Sequence, residues 1–418
     1  MVTANNKSKF ITILMLSVLF FQISVIPDTL NIKIIARLVN TLMLCYFFLM
    51  AIIMLKDHKS KNIFLLFIFP CLLIILGYVI NFSMALSFDA LGQAGKLIPW
   101  LALLVVPVLI GNNLEQSWHL FYKFVLWVTI VSLLEYVAIF SGLLSPTMIE
   151  TNRGVFFKGI FSILHYLEGG FVYYRFYGVF QEPGTAAMFM IPAIVYSLVY
   201  SRWLSLCLFL IAFALTLSLG GIVSLCVSLV IFFFWKFASK SGYSLFAKIF
   251  FLIFTVSSVV YLSGDFIEQY QSKQDSATVR EDNVTKFVEN FGQMVLKNPF
   301  GFVLEGDSLT ALAEGDDEYV GSNFTFYVAF AQGGFISFIG YTMFFLANCL
   351  FLINAFFKKH NENKIYACVI ISLPAMLLFC FQRTTILESA LYSFLYGSVI
   401  MHYFIVWMSK NSKKLLSN

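Results

Sequence analysis

Long apolar stretches follow one another along most of this chain of 418 residues. A helix that crosses the hydrocarbon core of a bilayer needs about 20 largely apolar residues. Charged residues make up only 12% of the chain, where soluble proteins carry about a quarter. We therefore exclude a soluble globular protein and predict an all-α, polytopic membrane protein with about 12 transmembrane helices, a single membrane domain over residues 1–418. The predicted spans are residues 10–27, 34–55, 62–82, 94–111, 119–142, 184–200, 203–219, 221–238, 245–263, 333–356, 365–382 and 385–408.

The placement of the cysteines, basic residues and histidines, together with the absence of known enzyme motifs, excludes several other classes of protein. All seven cysteines lie inside apolar runs, which indicates small buried side chains rather than a disulfide framework. The basic residues are spread along the chain, so no nucleic acid partner is expected. The five histidines are isolated, and the sequence has no Walker loop, G-x-S-x-G, H-E-x-x-H or Asp-x-Asp pattern. We predict no metal site, no cofactor and no soluble sugar-nucleotide donor.

Lysines in the short connections set the expected orientation. They fall on the amino-terminal side of the membrane in four groups, and short cytoplasmic loops are the ones enriched in lysine and arginine. Both termini are therefore expected in the cytoplasm, with the first span retained as a helix rather than removed as a signal peptide. The groups are Lys56, Lys59 and Lys61; Lys236, Lys240 and Lys248; Lys358, Lys359 and Lys364; and Lys410, Lys413 and Lys414.

This topology places two long segments outside. Residues 143–183 form an aromatic loop, in which Val155 to Leu167 is too short to span and is expected to lie in the membrane interface. Residues 264–332 form an acidic loop, with twelve acids against four bases from Asp265 to Glu318. Apolar residues at near-helical spacing predict a surface helix over Thr278–Met294 within it.

Charged residues in or beside the spans are costly enough to be functional candidates. Five cations that converge at one lipid–water boundary would suit a pyrophosphate, because the guanidinium fork pairs with phosphate oxygens. The alternative, favoured for Lys96, is a cation that reaches the headgroups with its stem in lipid. Glu135, deep in the fifth span, is expected to pair with a neighbouring helix or to stay protonated. The candidates near the outer face are Arg37, Lys96, Arg175, Arg280, Arg383 and Glu388.

The segment from Arg175 to Thr185 joins the aromatic loop to the sixth span. Pro183 and Gly184 at a helix start leave backbone amides at the positive end of the dipole, which suits an anion. Glu182 is either a helix cap or an acid/base group. The surrounding aromatics, Tyr174 and Tyr177 among them, can stack on sugar rings or form an interfacial belt, and the belt is the favoured interpretation.

The combined pattern resembles the superfamily of O-antigen polymerases (Wzy-type) and O-antigen ligases. The residues that carry the resemblance are Arg175, Gly178, Glu182 and Pro183; Thr216-Leu-Ser218 with Gly220-Gly221; and Arg280, Pro299-Phe-Gly301, Asn323 and Gly333-Gly334. The resemblance implies a GT-C-like fold in the bacterial inner membrane. It also implies a metal-independent, inverting glycosyl transfer from an undecaprenyl-pyrophosphate donor at the periplasmic face. In the implied reaction, Arg175 and Arg280 hold the pyrophosphate.

Three alternatives stay open beside a polymerase. Ligases of this superfamily often show His-Asn where this chain has Ser322-Asn323, which favours the polymerase. A lipid-linked glycan flippase shares the expected span count but seldom needs such long exported loops. A non-enzymatic membrane scaffold would tolerate replacement of the outer arginines. The expected partners are the lipid-linked oligosaccharide and membrane lipid, and a protein that regulates chain length is a further candidate.

Overall fold

The computed structural model describes most of the chain between residues 61 and 404. The described ranges are residues 61–85, 113–151, 154–167, 173–180, 182–238, 271–301, 325–357, 363–381 and 392–404, with isolated positions between 12 and 49 and between 97 and 103. These residues are mostly helical. The elements are α1 (Lys61–Ala85), α2 (Leu114–Phe140), β1 (Thr147–Thr151), β2 (Gly154–Lys158), β3 (Ile163–Leu167), β4 (Tyr173–Gly178), α3 (Pro183–Val199), α4 (Trp203–Leu215), α5 (Leu219–Ala238), α6 (Gln271–Lys297), α7 (Thr325–Phe357), α8 (Lys364–Phe379) and a π-helical turn (Tyr392–Gly397).

Three of the described helices are long and apolar enough to cross a membrane. They are residues Leu114–Phe140, Leu219–Lys236 and Thr325–Ala355, and four shorter apolar helices accompany them. This composition is that of a multi-pass membrane protein. The predicted spans 10–27, 34–55, 94–111 and 245–263 lie outside the described residues apart from isolated positions, so the full set of twelve stays a prediction.

The exposed side of α2 is apolar, as expected for a lipid-facing helix. Trp118, Phe121, Val125 and Val128 are buried at intervals of three and four residues, which brings them onto one face. Apolar residues such as Leu134 on other faces are exposed. An exposed apolar surface of this kind suits a hydrocarbon environment rather than water.

The chain divides into two compact units that alternate along the sequence. The first comprises Met1–Val39, Asn113–Val259 and His360–Met376; the second comprises Asn40–Asn112, Val260–Lys359 and Leu377–Asn418. In the first unit, α3 packs against α2, α4, α5 and β4. Nearly every side chain of α3 is buried, including Pro192 in its interior. It is the central helix of that unit's described part.

A four-stranded antiparallel sheet occupies residues 147–178, where the sequence predicts a loop. The strand order is β1-β2-β3-β4, with Phe156 opposite Ile149 and His165 opposite Arg175. The all-α prediction therefore misses a sheet, and Val155 to Leu167 is two strands and a turn rather than one interfacial segment. The Val, Ile, Phe and Tyr residues that were interpreted as an interface signal are also the residues that fit a pleated surface.

The turn between β2 and β3 is attached to α2. The Glu135 carboxylate accepts hydrogen bonds from the backbone N–H groups of Ile160 and Phe161, at 2.7 and 2.6 Å. The Ser132 hydroxyl donates to the Phe161 carbonyl at 2.7 Å. Glu135 was expected to pair with a neighbouring helix or to stay protonated. Its hydrogen bonds instead hold the sheet, because the turn presents two adjacent amides to its two oxygens.

The second unit is built on close packing of α1 against α7. Glycines allow the approach: a Cβ at Gly340 would lie 2.7 Å from the Pro70 carbonyl oxygen, and Gly77 lies directly against the Gly333 carbonyl. The hydroxyls of Tyr78 and Tyr341 lie 3.3 Å apart across this contact. Small residues at such a contact are typical of helix pairs in membranes.

Helix α7 starts earlier than the predicted span 333–356 and is broken inside it. It begins at Thr325, and Gly334 has the non-helical dihedrals φ 64 and ψ −166. The segment from Thr325 to Gln332, which is part of the predicted loop 264–332, forms the first helical turns of α7. Helix α6 includes the whole segment Thr278–Met294 for which the spacing predicts a helix.

Candidate functional site

Arg175 on β4 reaches the gap between α4 and α5. Its Nε donates to the Thr216 carbonyl at 2.7 Å and its Nη2 donates to the Leu217 carbonyl at 3.1 Å. The side chain is half-buried. Carbonyls at the end of a helix carry partial negative charge and lack intrahelical partners, so a guanidinium stabilises them. The two hydrogen bonds fix the orientation of the guanidinium plane.

The gap itself is set by the Thr216-Leu-Ser218 sequence. Helix α4 ends at Leu215, and Leu217 takes a left-handed conformation with φ 49. The Ser218 hydroxyl then accepts from the Gly221 N–H at 3.3 Å, as the cap of α5. A Cβ at Gly221 would lie 2.6 Å from the Ala187 side chain of α3. The motif thus ends one apolar helix, starts the next and seats it on α3.

The chain between β4 and α3 brings other residues of the segment from Arg175 to Thr185 close to Arg175. The Arg175 guanidinium carbon lies 6.0 Å from the centre of the Tyr177 ring, and Tyr177 is only 6% exposed. Gly178 permits the positive φ of 58 at which the chain turns toward α3. The Phe180 ring then stacks on Phe189 of α3, with the ring centres 4.9 Å apart.

Glu182 precedes α3 in an extended conformation, with Pro183 as the first helical residue. This is the position at which a proline costs nothing, because its missing N–H has no partner in a helix. Among the residues that the structure describes, the exposed Glu182 side chain caps no backbone N–H of α3. Of the two interpretations of Glu182, the cap is the one that the geometry does not support.

In the second unit, the Pro299-Phe-Gly301 motif docks on the break of α7. The Phe335 N–H donates to the Pro299 carbonyl at 2.9 Å. Gly301 has φ 87, and a Cβ there would lie 2.7 Å from the Ala331 carbonyl oxygen. A Cβ at Gly334 would lie 2.5 Å from the backbone of Phe300. The two glycine motifs of this region therefore form one contact, in which each glycine lies against the backbone of the other segment and has no room for a side chain.

Asn81 joins this contact from α1 and was not predicted. Its Nδ2 donates to the Phe300 carbonyl at 2.9 Å, and the residue is 1% exposed. Nearby on α7, the buried oxygens Gln332 Oε1 and Ser337 Oγ have no hydrogen-bond partner within the described part of the chain. A polar residue inside an apolar span was the available signal for Asn81, since intramembrane polar groups are usually paired.

Helix α6 carries Arg280 and packs on α7. Phe287 and Phe291 form a cluster with Tyr327 and Phe330, and the rings of Phe291 and Phe338 are 4.6 Å apart. Arg280 lies seven residues before Phe287, so the two positions share a helix face. The side chain of Arg280 is outside the described side chains.

The remaining predicted site residues are not placed. The structure describes Tyr174 only as a strand residue paired with Tyr166. The predicted convergence of the outer cations therefore stays a prediction. Arg37, Lys96, Asn323, Arg383 and Glu388 lie outside the described residues.

The described residues contain no group of three or more His, Cys, Asp and Glu side chains that could hold a metal ion. Two arrangements of polar and glycine residues remain, one in each unit: Arg175 with the α4–α5 gap, and Pro299-Phe-Gly301 with the α7 break. No protein-family model matches the chain, and no curated protein matches it. The functional interpretation therefore depends on these two arrangements and on the motifs that form them.

Proposed function

We propose that this chain is an O-antigen polymerase, a glycosyltransferase that joins undecaprenyl-pyrophosphate-linked repeat units of a surface polysaccharide. The transfer is inverting and metal-independent, and it takes place at the periplasmic face of the bacterial inner membrane. The motif resemblance supports the reaction class. The apolar helices of the described part support the membrane setting.

The orientation of Arg175 is the observation that carries the proposal. Two carbonyls hold the guanidinium where a strand meets the ends of two apolar helices. A group oriented before the substrate arrives stabilises developing charge without reorganising at the moment of reaction. Tyr177 supports this arginine from a buried position, which favours a positioning role over direct stacking on a sugar.

The proposed reaction forms a bond between an acceptor hydroxyl oxygen and the anomeric carbon while the bond from that carbon to the pyrophosphate breaks. Arg175 and Arg280 neutralise the leaving pyrophosphate, and Arg37 or Arg383 assists. The hydroxyl proton passes to Glu182 or Glu388. The exposed position of Glu182 beside the start of α3 supports the first of these. Lys96, Tyr174 and Asn323 complete the proposed contacts to the headgroup and glycan.

The direct test is reconstitution of the purified protein in liposomes with its lipid-pyrophosphate-linked repeat unit, without metal and without lipid A-core. A ladder of products on a gel is the expected result. If lipid A-core is required and receives a single transfer, the chain is a ligase. If intact substrate appears on the opposite leaflet, the chain is a flippase and the enzyme proposal is wrong.

Arg280→Lys tests the pyrophosphate role, because the charge survives while the bidentate fork is lost. We expect polymer yield to fall by about a hundredfold, the cost of removing one oriented donor from a transition state. Lys286→Arg on the same helix is the matched control and should leave the yield unchanged. Normal polymer from Arg280→Lys would refute a bidentate clamp at this position.

A further inference from the structure

Three tyrosines stack at the end of the first unit that is remote from Arg175. The ring centres of Tyr122 and Tyr196 are 4.7 Å apart, and those of Tyr196 and Tyr200 are 4.3 Å apart. Tyr122 belongs to α2, Tyr196 to α3, and Tyr200 directly follows α3. We call these three residues the tyrosine stack. Since Tyr196 and Tyr200 lie near the end of α3, the stack is about 20–25 Å along that helix from its start near β4.

A cation covers each outer face of the tyrosine stack. The Arg202 guanidinium carbon lies 5.2 Å from the centre of the Tyr122 ring, and the Lys364 Nζ lies 4.9 Å from the centre of the Tyr200 ring. Both distances are within the range of cation–π attraction. The two cations come from the starts of α4 and α8, so the stack holds charges from separate segments in fixed places.

Hydrogen bonds fix the tyrosines themselves. The Tyr122 hydroxyl donates to the Ser205 hydroxyl at 2.5 Å, and the Tyr200 hydroxyl donates to Glu115 Oε1 at 3.0 Å. The Tyr196 hydroxyl lies 3.2 Å from His119 Nδ1. The stack is therefore a rigid support, and little conformational entropy is left to lose when a ligand binds beside it.

The charges around the stack have a positive excess that faces outward. Arg202, Lys364 and Lys123 are all exposed. Glu115 is the carboxylate that opposes these three cations among the described residues of this end. An exposed surface with three cations and one carboxylate is complementary to the phosphates of anionic headgroups.

Two large apolar residues that follow Arg202 are mostly exposed. Trp203 is 62% exposed and Leu204 is 80% exposed. A tryptophan beside an arginine is the usual arrangement at the headgroup level of a bilayer, where the ring lies in the interface and the cation meets the headgroups. These residues favour a phosphate that belongs to a membrane over one that is free in solution.

We propose that this end of the first unit is a binding surface for the phosphates of anionic phospholipids. Arg202 and Lys364, which lie against the two end rings of the tyrosine stack, contact different headgroups, and Lys123 adds a third exposed cation. Trp203 and Leu204 enter the bilayer beside them. The site does not depend on the polymerase proposal, because it uses none of the residues assigned to glycan transfer.

The test follows thermal unfolding of the full-length protein in neutral detergent as phosphatidylglycerol is added. We expect the midpoint to rise with phosphatidylglycerol and to stay constant with phosphatidylcholine or inorganic phosphate. Arg202→Gln with Lys364→Gln should weaken the apparent affinity by about 25-fold, since each cation near a membrane surface contributes about fivefold. Arg202→Lys should retain most of the affinity. Lys286→Gln with Lys297→Gln on α6 is the control and should bind as the native protein does.

Three results would overturn the proposal. The first is an equal rise with phosphatidylcholine, which would show binding without charge recognition. The second is an equal rise with inorganic phosphate, which would show a free-anion site. The third is unchanged phosphatidylglycerol affinity in the doubly substituted protein. If that protein fails to fold, Lys123→Gln decides, because it removes an exposed cation outside the stack and should cost about fivefold.

Discussion

Single residues decide how the sheet and the helix gap are attached in the first unit. Arg175 donates to two helix-end carbonyls, and Glu135 accepts from two backbone amides of a turn. In both cases one side chain satisfies two backbone groups that have no partner in a helix or strand. Such groups are costly when left unpaired, so both residues have a structural role that is independent of catalysis.

Replacement of Arg175 by alanine removes both donors to the α4–α5 gap. We expect the free energy of unfolding to fall by about 2–3 kcal/mol, because hydrogen bonds to a charged group contribute more than neutral ones. Thermal unfolding in detergent measures the loss. Glu289→Ala, on an exposed position of α6, is the control and should change the stability by less than about 0.5 kcal/mol. A native midpoint for Arg175→Ala would mean that the gap is held by other contacts.

Glu135→Gln should loosen the sheet from α2. The amide keeps one oxygen acceptor but turns an NH₂ group toward the second backbone N–H, so one of the two hydrogen bonds is lost. The expected cost is about 1–3 kcal/mol of stability. Glu289→Gln makes the same chemical change at an exposed position and should be neutral. Equal midpoints for the two variants would contradict the described geometry.

Among the elements, the helices could be predicted from the sequence and the sheet could not. Length and apolar character alone locate helices such as α2 and α5, because a span must satisfy its own backbone hydrogen bonds. Strands β2 and β3 carry the same aromatic and β-branched residues that mark a membrane interface, so composition does not separate the two.

The contacts of the candidate site were beyond sequence reasoning for a different reason. Arg175 donates to a pair of backbone carbonyls about 40 residues further along the chain. The amino-acid sequence does not indicate which backbone carbonyls lack a partner within a helix once the chain has folded. Asn81 likewise bonds to a carbonyl more than 200 residues away. The glycine motifs indicated where two backbone segments approach closely, but not which second segment approaches each motif.

The break of α7 gives a sharp test at the level of one element. Gly334→Ala introduces a Cβ at φ 64 and ψ −166, a region open essentially to glycine, and places it 2.5 Å from the Phe300 backbone. We expect a loss of at least about 2 kcal/mol. Gly292→Ala, in α6, meets nothing within 4 Å and should stabilise the protein by up to about 1 kcal/mol. Similar midpoints for both variants would mean that α7 is not broken at Gly334.

At the scale of the whole molecule, the expected orientation can be tested with two exposed residues at opposite ends of α2. Leu143 follows the helix and is 81% exposed. Ser201 is exposed and adjoins Tyr200, which donates a hydrogen bond to Glu115 at the start of α2. In a protein without its seven native cysteines, we expect an impermeant thiol reagent to label Leu143→Cys in intact spheroplasts. Ser201→Cys should react only after permeabilisation. The reverse pattern would place the sheet in the cytoplasm.

The alternation of the two units along the chain constrains how the protein is made. The first unit includes His360–Met376, which lies after most of the second unit in sequence. The contact of Lys364 with Tyr200 therefore cannot form until more than 160 further residues have been synthesised after Tyr200. Domains usually fold in order as they emerge during synthesis. Here the early helices must wait in the translocon or in lipid for their last partner, so a premature stop codon before residue 360 would leave both units incomplete.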